Sequence, residues 1–161
     1  QMCIRDRPER ETSEILLEAE SQVLSNNGTV ARLAGIYGPG RSAILRSLLR
    51  GDAVIEEDGR RFLNQIHRDD ASKALLHLLT CPESIAQIYN VCDSSPLHQG
   101  DCYQAHAALF DHPQPPNGPR PQHRIRAWRL KRVSIEKLRG TGWEPNYPSF
   151  IDAVEAIHST L

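Results

Sequence analysis

Apolar positions along the chain switch repeatedly between a helical and an extended period. Ile15, Leu16, Ala19 and Val23 recur at helical spacing, predicting a helix with Thr12 or Ser13 as N-cap and Gly28 as its stop. TVARLAGIY, Thr29 to Tyr37, reads as a buried strand. The tight loop GPGR follows, and Ser42 then caps a short helix through Ala43, Ile44, Leu45, Leu48 and Leu49, ended by Gly51. Arg61 to His67 is a second extended stretch. It runs into Asp69 and Asp70, placed to cap a helix that buries Ala71, Ala74, Leu75 and Leu78. Gln87 to Cys92 is a third strand, and Gln99 to Phe110 a further helix. Strands alternate with helices, so the fold class is α/β with parallel pairing.

The segment DHPQPPNGPRP, Asp111 to Pro121, holds five of the chain's eleven prolines. That composition suits a loop or a polyproline-like connector. Beyond it, Val133 leads to Ser134, a cap for a short helix ending at Gly140 or Gly142. Ser149 with Asp152 opens a last helix whose apolar stripe is Phe150, Ala153, Val154 and Ile157. Three strands are too few for a complete doubly wound sheet.

Composition narrows the classes. The 161 residues have room for one domain, and 19 basic against 20 acidic residues leave a net charge of −1. Such balance argues against a surface that coats nucleic acid or an anionic membrane, and no apolar run is long enough to span a bilayer. Cys3, Cys81, Cys92 and Cys102 form no CxxC pair. They fit small buried residues in a reducing, cytoplasmic setting. Residues 1–7 are read as a non-native leader, because MCIRDR matches the translation of a transposon-end oligonucleotide from sequencing libraries.

Four groups of residues invite chemistry. Gly38-Pro39-Gly40-Arg41-Ser42-Ala43 satisfies the dinucleotide pattern G-x-G-x-x-A, with Glu56, Glu57 and Asp58 where a ribose-binding acid would stand. Pro39, however, removes a backbone donor where a phosphate needs one, and the helix that follows is short. We read this stretch as a strand-to-helix turn. His67-Arg68-Asp69-Asp70 places a base, a cation and two acids at the end of a strand, the acids serving as helix caps. His98, Cys102 and His106 can share one helical face, but they lack a fourth ligand and the usual spacing, so no metal is expected. Arg120, Arg124, Arg126, Arg129, Lys131 and Arg132 surround Trp128. The near-zero net charge sets aside nucleic acid as their partner.

Four segments in register carry a family likeness: ARLAGIYGPGR (Ala31–Arg41), RFLNQIHRDDASKAL (Arg61–Leu75), IYNVCDSSP (Ile88–Pro96) and KRVSIEKLRGTGWEPNYPS (Lys131–Ser149). Together they resemble the C-terminal half of extended short-chain dehydrogenases/reductases, in the NAD(P)-dependent sugar-nucleotide epimerase/dehydratase branch. An atypical bacterial subgroup is the nearest, and the likeness covers essentially residues 8–158. It implies the C-terminal part of a doubly wound Rossmann-type parallel sheet plus a small substrate-covering region. Residues 8–95 would be late strands and helices, and 96–161 the covering region with the closing helices.

The resemblance places the phosphate-cradling glycines upstream of every segment here. IYGPG then lines the nicotinamide side, with Tyr37, Gly38, Pro39 and Gly40 acting mainly through backbone. Arg41, Asn64 and His67 border the substrate cleft. A full-length parent is expected to bind NAD or NADP and a small-molecule substrate, while this chain alone is expected not to hold the dinucleotide. A homodimer through the Glu11–Ser25 helix is implied by analogy.

The family's catalytic Tyr-x-x-x-Lys, counted back from Glu20, falls on Thr12 and Leu16. Threonine is far too weak an acid to replace tyrosine, and leucine cannot lower a neighbour's pKa. Leu63 stands where such epimerases often carry a diphosphate-gripping arginine, with Arg60 and Arg61 a little earlier. Two readings follow. One is an epimerase, dehydratase or reductase acting on a sugar nucleotide or related small molecule. The other is a non-catalytic, dinucleotide-binding redox sensor.

Overall fold

The computed structural model describes residues 11–119 and 131–160, the first three without their side chains. The expected leader, Cys3, Arg120, Arg124, Arg126, Trp128 and Arg129 lie outside them. The apolar run TVARLAGIY forms two strands with different partners, β1 (Val30–Leu33) and β2 (Gly35–Tyr37). β1 pairs in parallel with β6 (Ile88–Val91), Leu33 opposite Val91, while β2 pairs in parallel with β5 (Gln65–His67), Tyr37 opposite His67. The partner changes across a single peptide. The Ala34 N–H donates to the Val91 carbonyl at 2.9 Å, and the Gly35 N–H donates to that of Asn64 at 3.2 Å. Beyond β6, the Asp93 N–H donates to the Gln65 carbonyl at 2.7 Å. β5 is therefore wedged into a fork between β2 and the chain leaving β6.

The second extended stretch divides for the same reason. Phe62–Leu63 (β4) turns away to pair antiparallel with Leu97–His98 (β7), and Gln65–His67 stays in the wedge. Ile55–Glu56 (β3) pairs with Asn117–Gly118 (β8). The described residues thus hold eight short strands in place of the three expected. No side-chain pattern marks these breaks, because each follows from a change of neighbour.

The helices follow the apolar pattern, with corrections at their ends. α1 (Glu11–Ser25) already contains Thr12 and Ser13, so neither is its cap; both residues are tolerated in a helical turn. Its stop is Asn27, left-handed at φ 59°, with the Gly28 N–H returning to the Val23 carbonyl at 2.8 Å. Gly28 is needed for space, since a Cβ there would lie 2.6 Å from Val23 Cγ1. α2 (Ala43–Arg50) is capped by Ser42 and closed by Gly51, as expected. α3 (Arg68–Thr80) is capped by His67, not by Asp69 or Asp70. His67 is the last extended residue, so its ring lies beneath the first free N–H and both acids fall within the first turn. After a single 3₁₀ turn (Pro82–Ser84) and β6 come α4 (Gln99–Phe110), α5 (Glu136–Arg139) and α6 (Phe150–His158). α5 begins after Ile135 rather than at Ser134, whose hydroxyl accepts the Glu136 N–H at 3.3 Å. α6 carries the full Ser149–Asp152 capping box, and all four stripe residues are buried.

Two apolar clusters flank the fork. Ile66, Val91, Ala74, Leu78, Leu138 and Trp143 meet on the α3 side. Tyr37, Leu45, Leu63, Phe150 and Val154 meet beneath α6. Asp70 joins α3 to the chain before α6: fully buried, its two carboxylate oxygens accept the Asn146 N–H at 3.0 Å and the Tyr147 N–H at 2.9 Å.

Leu75, expected in the core, is 42% exposed, and Leu76, Leu79 and Ile85 are exposed with it. Leu75, Leu79 and Ile85 border an open groove of about 690 Å³ that reaches Ala31 and Cys81. Among the described residues β1 has β6 as its one strand partner. Among the described residues, this side of β1 and α3 is an exposed apolar surface.

Hydrogen bonds to a charged group contribute about 1.5–3 kcal/mol each. Replacing Asp70 with Ala is expected to destabilise the chain by about 3 kcal/mol. Asp70→Asn should cost nearly as much, because an amide offers one acceptor oxygen to two N–H donors. Urea unfolding midpoints check both, and an Asp70→Asn variant as stable as wild type contradicts the assignment.

Candidate functional site

Open parallel sheets present ligands at the carboxyl ends of their strands. Here those ends carry Tyr37 from β2, His67 from β5 and Asp93 after β6. The Gly38–Arg41 segment leaves β2 as a tight turn. The Gly38 N–H donates to the Arg41 carbonyl and the Arg41 N–H to the Gly38 carbonyl, each at 2.9 Å. Pro39 and the left-handed Gly40 (φ 71°) fill the corner, the arrangement of a type II turn. The Gly40 N–H donates to the Thr160 hydroxyl at 2.9 Å, and Arg46 donates to the Gly40 carbonyl at 3.1 Å. Every N–H of the turn is thus already bonded within the protein. The turn does not fit a pyrophosphate, which needs free backbone donors; the glycine pattern has a structural cause.

Gly38 packs where α3 begins: a Cβ there would meet Arg68 Cβ at 3.2 Å and His67 Nε2 at 3.6 Å. The imidazole of His67 lies edge-on to Tyr37, with ring centroids 5.4 Å apart, and tilts against Tyr147 at 4.4 Å. Its Nδ1 accepts the Asp69 N–H at 3.3 Å, while the Asp69 carboxylate lies 3.9 Å away. The two contacts imply opposite protonation of Nδ1. Burial lowers the His67 pKa against the opposing pull of Asp69 and Asp70. The ring is therefore neutral, Nδ1 is the acceptor, and Nε2 carries the proton on the side facing Gly38.

Tyr37 is 1% exposed. Its hydroxyl is buried 3.4 Å from the Ser149 carbonyl, and burial, with Asp93, Asp70 and Asp152 nearby, pushes its pKa upward. Asp93 was not singled out by sequence reasoning. Burial raises its carboxyl to about 7, against the opposing effects of the Cys92 thiol hydrogen bond and of Arg132. The signal available was an acid directly after an apolar strand, at the end where ligands gather.

Asn64 and Arg41 diverge. Arg41 is exposed at the turn. Asn64 precedes β5, and its amide donates to the Lys131 carbonyl and accepts the Val133 N–H, both at 2.8 Å. It clasps the chain where it returns from the proline-rich connector. His98 Nδ1 donates to the Arg60 carbonyl at 2.8 Å and its ring lies tilted against Phe62, whereas Cys102 and His106 are buried. Among the described residues, no three His, Cys, Asp or Glu side chains are grouped to hold a metal ion. Among them, too, no helix is long and apolar enough to cross a membrane.

Comparison with solved structures decides the fold. A conserved protein of unknown function from Silicibacter pomeroyi superposes over 95% of this chain and 57% of its own, with a TM-score of 0.76 and 28% identity. A human epimerase family protein solved with NADPH gives 0.75 over 97% of this chain and 59% of its own, at 21% identity. The UDP-glucose 4-epimerase of Thermotoga maritima gives 0.69 over 92% and 50%, at 19% identity. This chain has part of the extended short-chain dehydrogenase/reductase fold. It spans about half the length of the solved structures it matches. No family model and no curated protein matches it.

Thr12 and Leu16 both lie on α1, and Leu16 is 56% exposed. For the Asn64 clasp, Asn64→Ala is expected to lower stability by about 2 kcal/mol, one neutral hydrogen bond contributing about 1. It should also speed amide exchange at Val133 while leaving β1 and β6 protected. Unchanged Val133 exchange would remove that role.

Proposed function

We propose that the whole protein binds NAD or NADP and acts as an epimerase, dehydratase or reductase on a sugar nucleotide or related small molecule. The observation that carries this reading is a fold shared over more than nine-tenths of the chain with epimerase-family structures, some solved with NADPH or NAD. The fully bonded turn after β2 supports a place for Tyr37, Gly38, Pro39 and Gly40 beside the nicotinamide, as a rigid wall rather than a phosphate cradle. Exposed Arg41 is the donor suited to a substrate, His67 lies buried behind the turn against Tyr37 and Tyr147, and Asn64 fastens the chain at Lys131 and Val133. The uncovered groove along β1 and α3 supports a further portion of the fold packing there. The exposed Ile15 and Leu16 face of α1 supports a homodimer contact.

A second reading rests on Thr12 and Leu16, which supply neither an acid nor a cation. On it the protein senses a dinucleotide without turning substrate over, and is soluble and cytoplasmic, as is the first.

Two measurements separate the readings. Calorimetry or nicotinamide fluorescence with NADPH should detect no binding to the 161-residue chain, because the Gly38–Arg41 turn has no free backbone donor. Micromolar binding to that chain sinks this assignment. In a protein carrying the whole fold, epimerase or reductase turnover by the wild type rejects the sensor reading. Activity gained only with Thr12→Tyr and Leu16→Lys together supports it.

A further inference from the structure

The end of α6 touches both the turn and a group of histidines. Thr160, just past the helix, accepts the Gly40 N–H at 2.9 Å and donates to the Ile157 carbonyl at 2.6 Å. Two residues earlier, His158 stacks on Phe110 of α4 at 3.8 Å and lies 6.0 Å from the ring of His106. His106 is fully buried, and neither ring nitrogen has a hydrogen-bond partner; Nε2 of His158 is buried and unpartnered as well. The left-handed Asp111 turns the chain back at the end of α4 and brings His112 within 6.5 Å of His106.

A neutral imidazole without partners is tolerated in an apolar wall, whereas a buried, unpaired imidazolium is not. Among the described residues, no carboxylate is placed to compensate. On α6, Asp152 is engaged in the capping box and Glu155 is exposed. On α4, Asp101 and Asp111 are exposed, and Cys102 is a thiol that burial raises to about 12. From β3, Glu56 is paired with Arg61 at 3.3 Å, and from β7, His98 meets the Arg60 carbonyl. The charges that act on His106 are those of His158 and His112, both of its own sign.

We propose that His106, packed beside His112 and His158, is an acid-sensitive latch: charging His106 parts the end of α6 from α4 and withdraws the Thr160 hydroxyl that holds the Gly38–Arg41 turn. The device is independent of which functional reading holds. Burial first, then His158 and His112, lower the His106 pKa from 6.5 to about 4. The released state therefore binds protons that the latched state refuses. Latching is at full strength above pH 6.5 and weakens as the pH falls toward 4.

Amide exchange on the whole chain reads the latch directly. Corrected for intrinsic rates, Gly40 is expected to exchange at least about tenfold faster at the acid end of that window, while β1 and β6 keep their protection. His106→Leu and His158→Gln should each blunt the response, and Thr160→Val should remove Gly40 protection throughout. Should His106→Leu fail to fold, His158→Gln alone carries the test. The proposal is overturned by equal Gly40 protection across the window, or by β1 and β6 opening together with the turn. It also fails if the histidine variants respond as the wild type does, or if Gly40 stays protected in Thr160→Val.

Discussion

Two consecutive backbone amides organise this molecule. In a regular strand, neighbouring N–H groups point to opposite edges, yet Ala34 and Gly35 both donate toward the same side, one to Val91 and the next to Asn64. That irregularity opens the fork that β5 fills, closed on the far side by the Asp93 N–H on Gln65. Because the wedge carries Tyr37 and His67 into register, the ring contact between them and the start of α3 beneath Gly38 both follow from it. Asn64, at the root of the wedge, also receives the chain returning from the connector. One break in backbone alternation thus sets the strand ends, the helix start and the placement of the covering segment.

The rim built on this fork is rigid and largely saturated. The turn's amides are bonded to one another and to Thr160, Asp70 serves two amides before α6, and Tyr37 is sealed beneath Phe150. What remains exposed is the arginine at the end of the turn, while the His67 imidazole, its tautomer set by the Asp69 N–H, is buried behind it. Such a rim can position and donate hydrogen bonds.

Much of the architecture was legible in the order of residues. The helices at Ala43, Gln99 and Phe150 appear where their periodicity and caps put them, and the parallel pairing of β1 with β6 follows from strand–helix alternation. The turn nature of GPG was legible from Pro39, whose missing N–H is a property of the residue itself. His67 as the cap of α3 was not, since two acids stood in the expected place. The site residue Asp93 was hidden for a similar reason: nothing in CDSS tells a solvated acid from one held by burial near neutrality. The clasp by Asn64 joins residues nearly seventy apart in sequence, so no local pattern could carry it.

By itself, then, the sequence determined the local elements and the α/β class, because these depend on residue type and on spacing within a few turns. Only the tertiary structure decided where strands change partner, which acids are buried, and that His158 of α6 meets His106 and His112 at the end of α4. Those outcomes depend on which backbone amides find carbonyls across the fork and on what each side chain loses of its water, and both are settled by neighbours brought together in space.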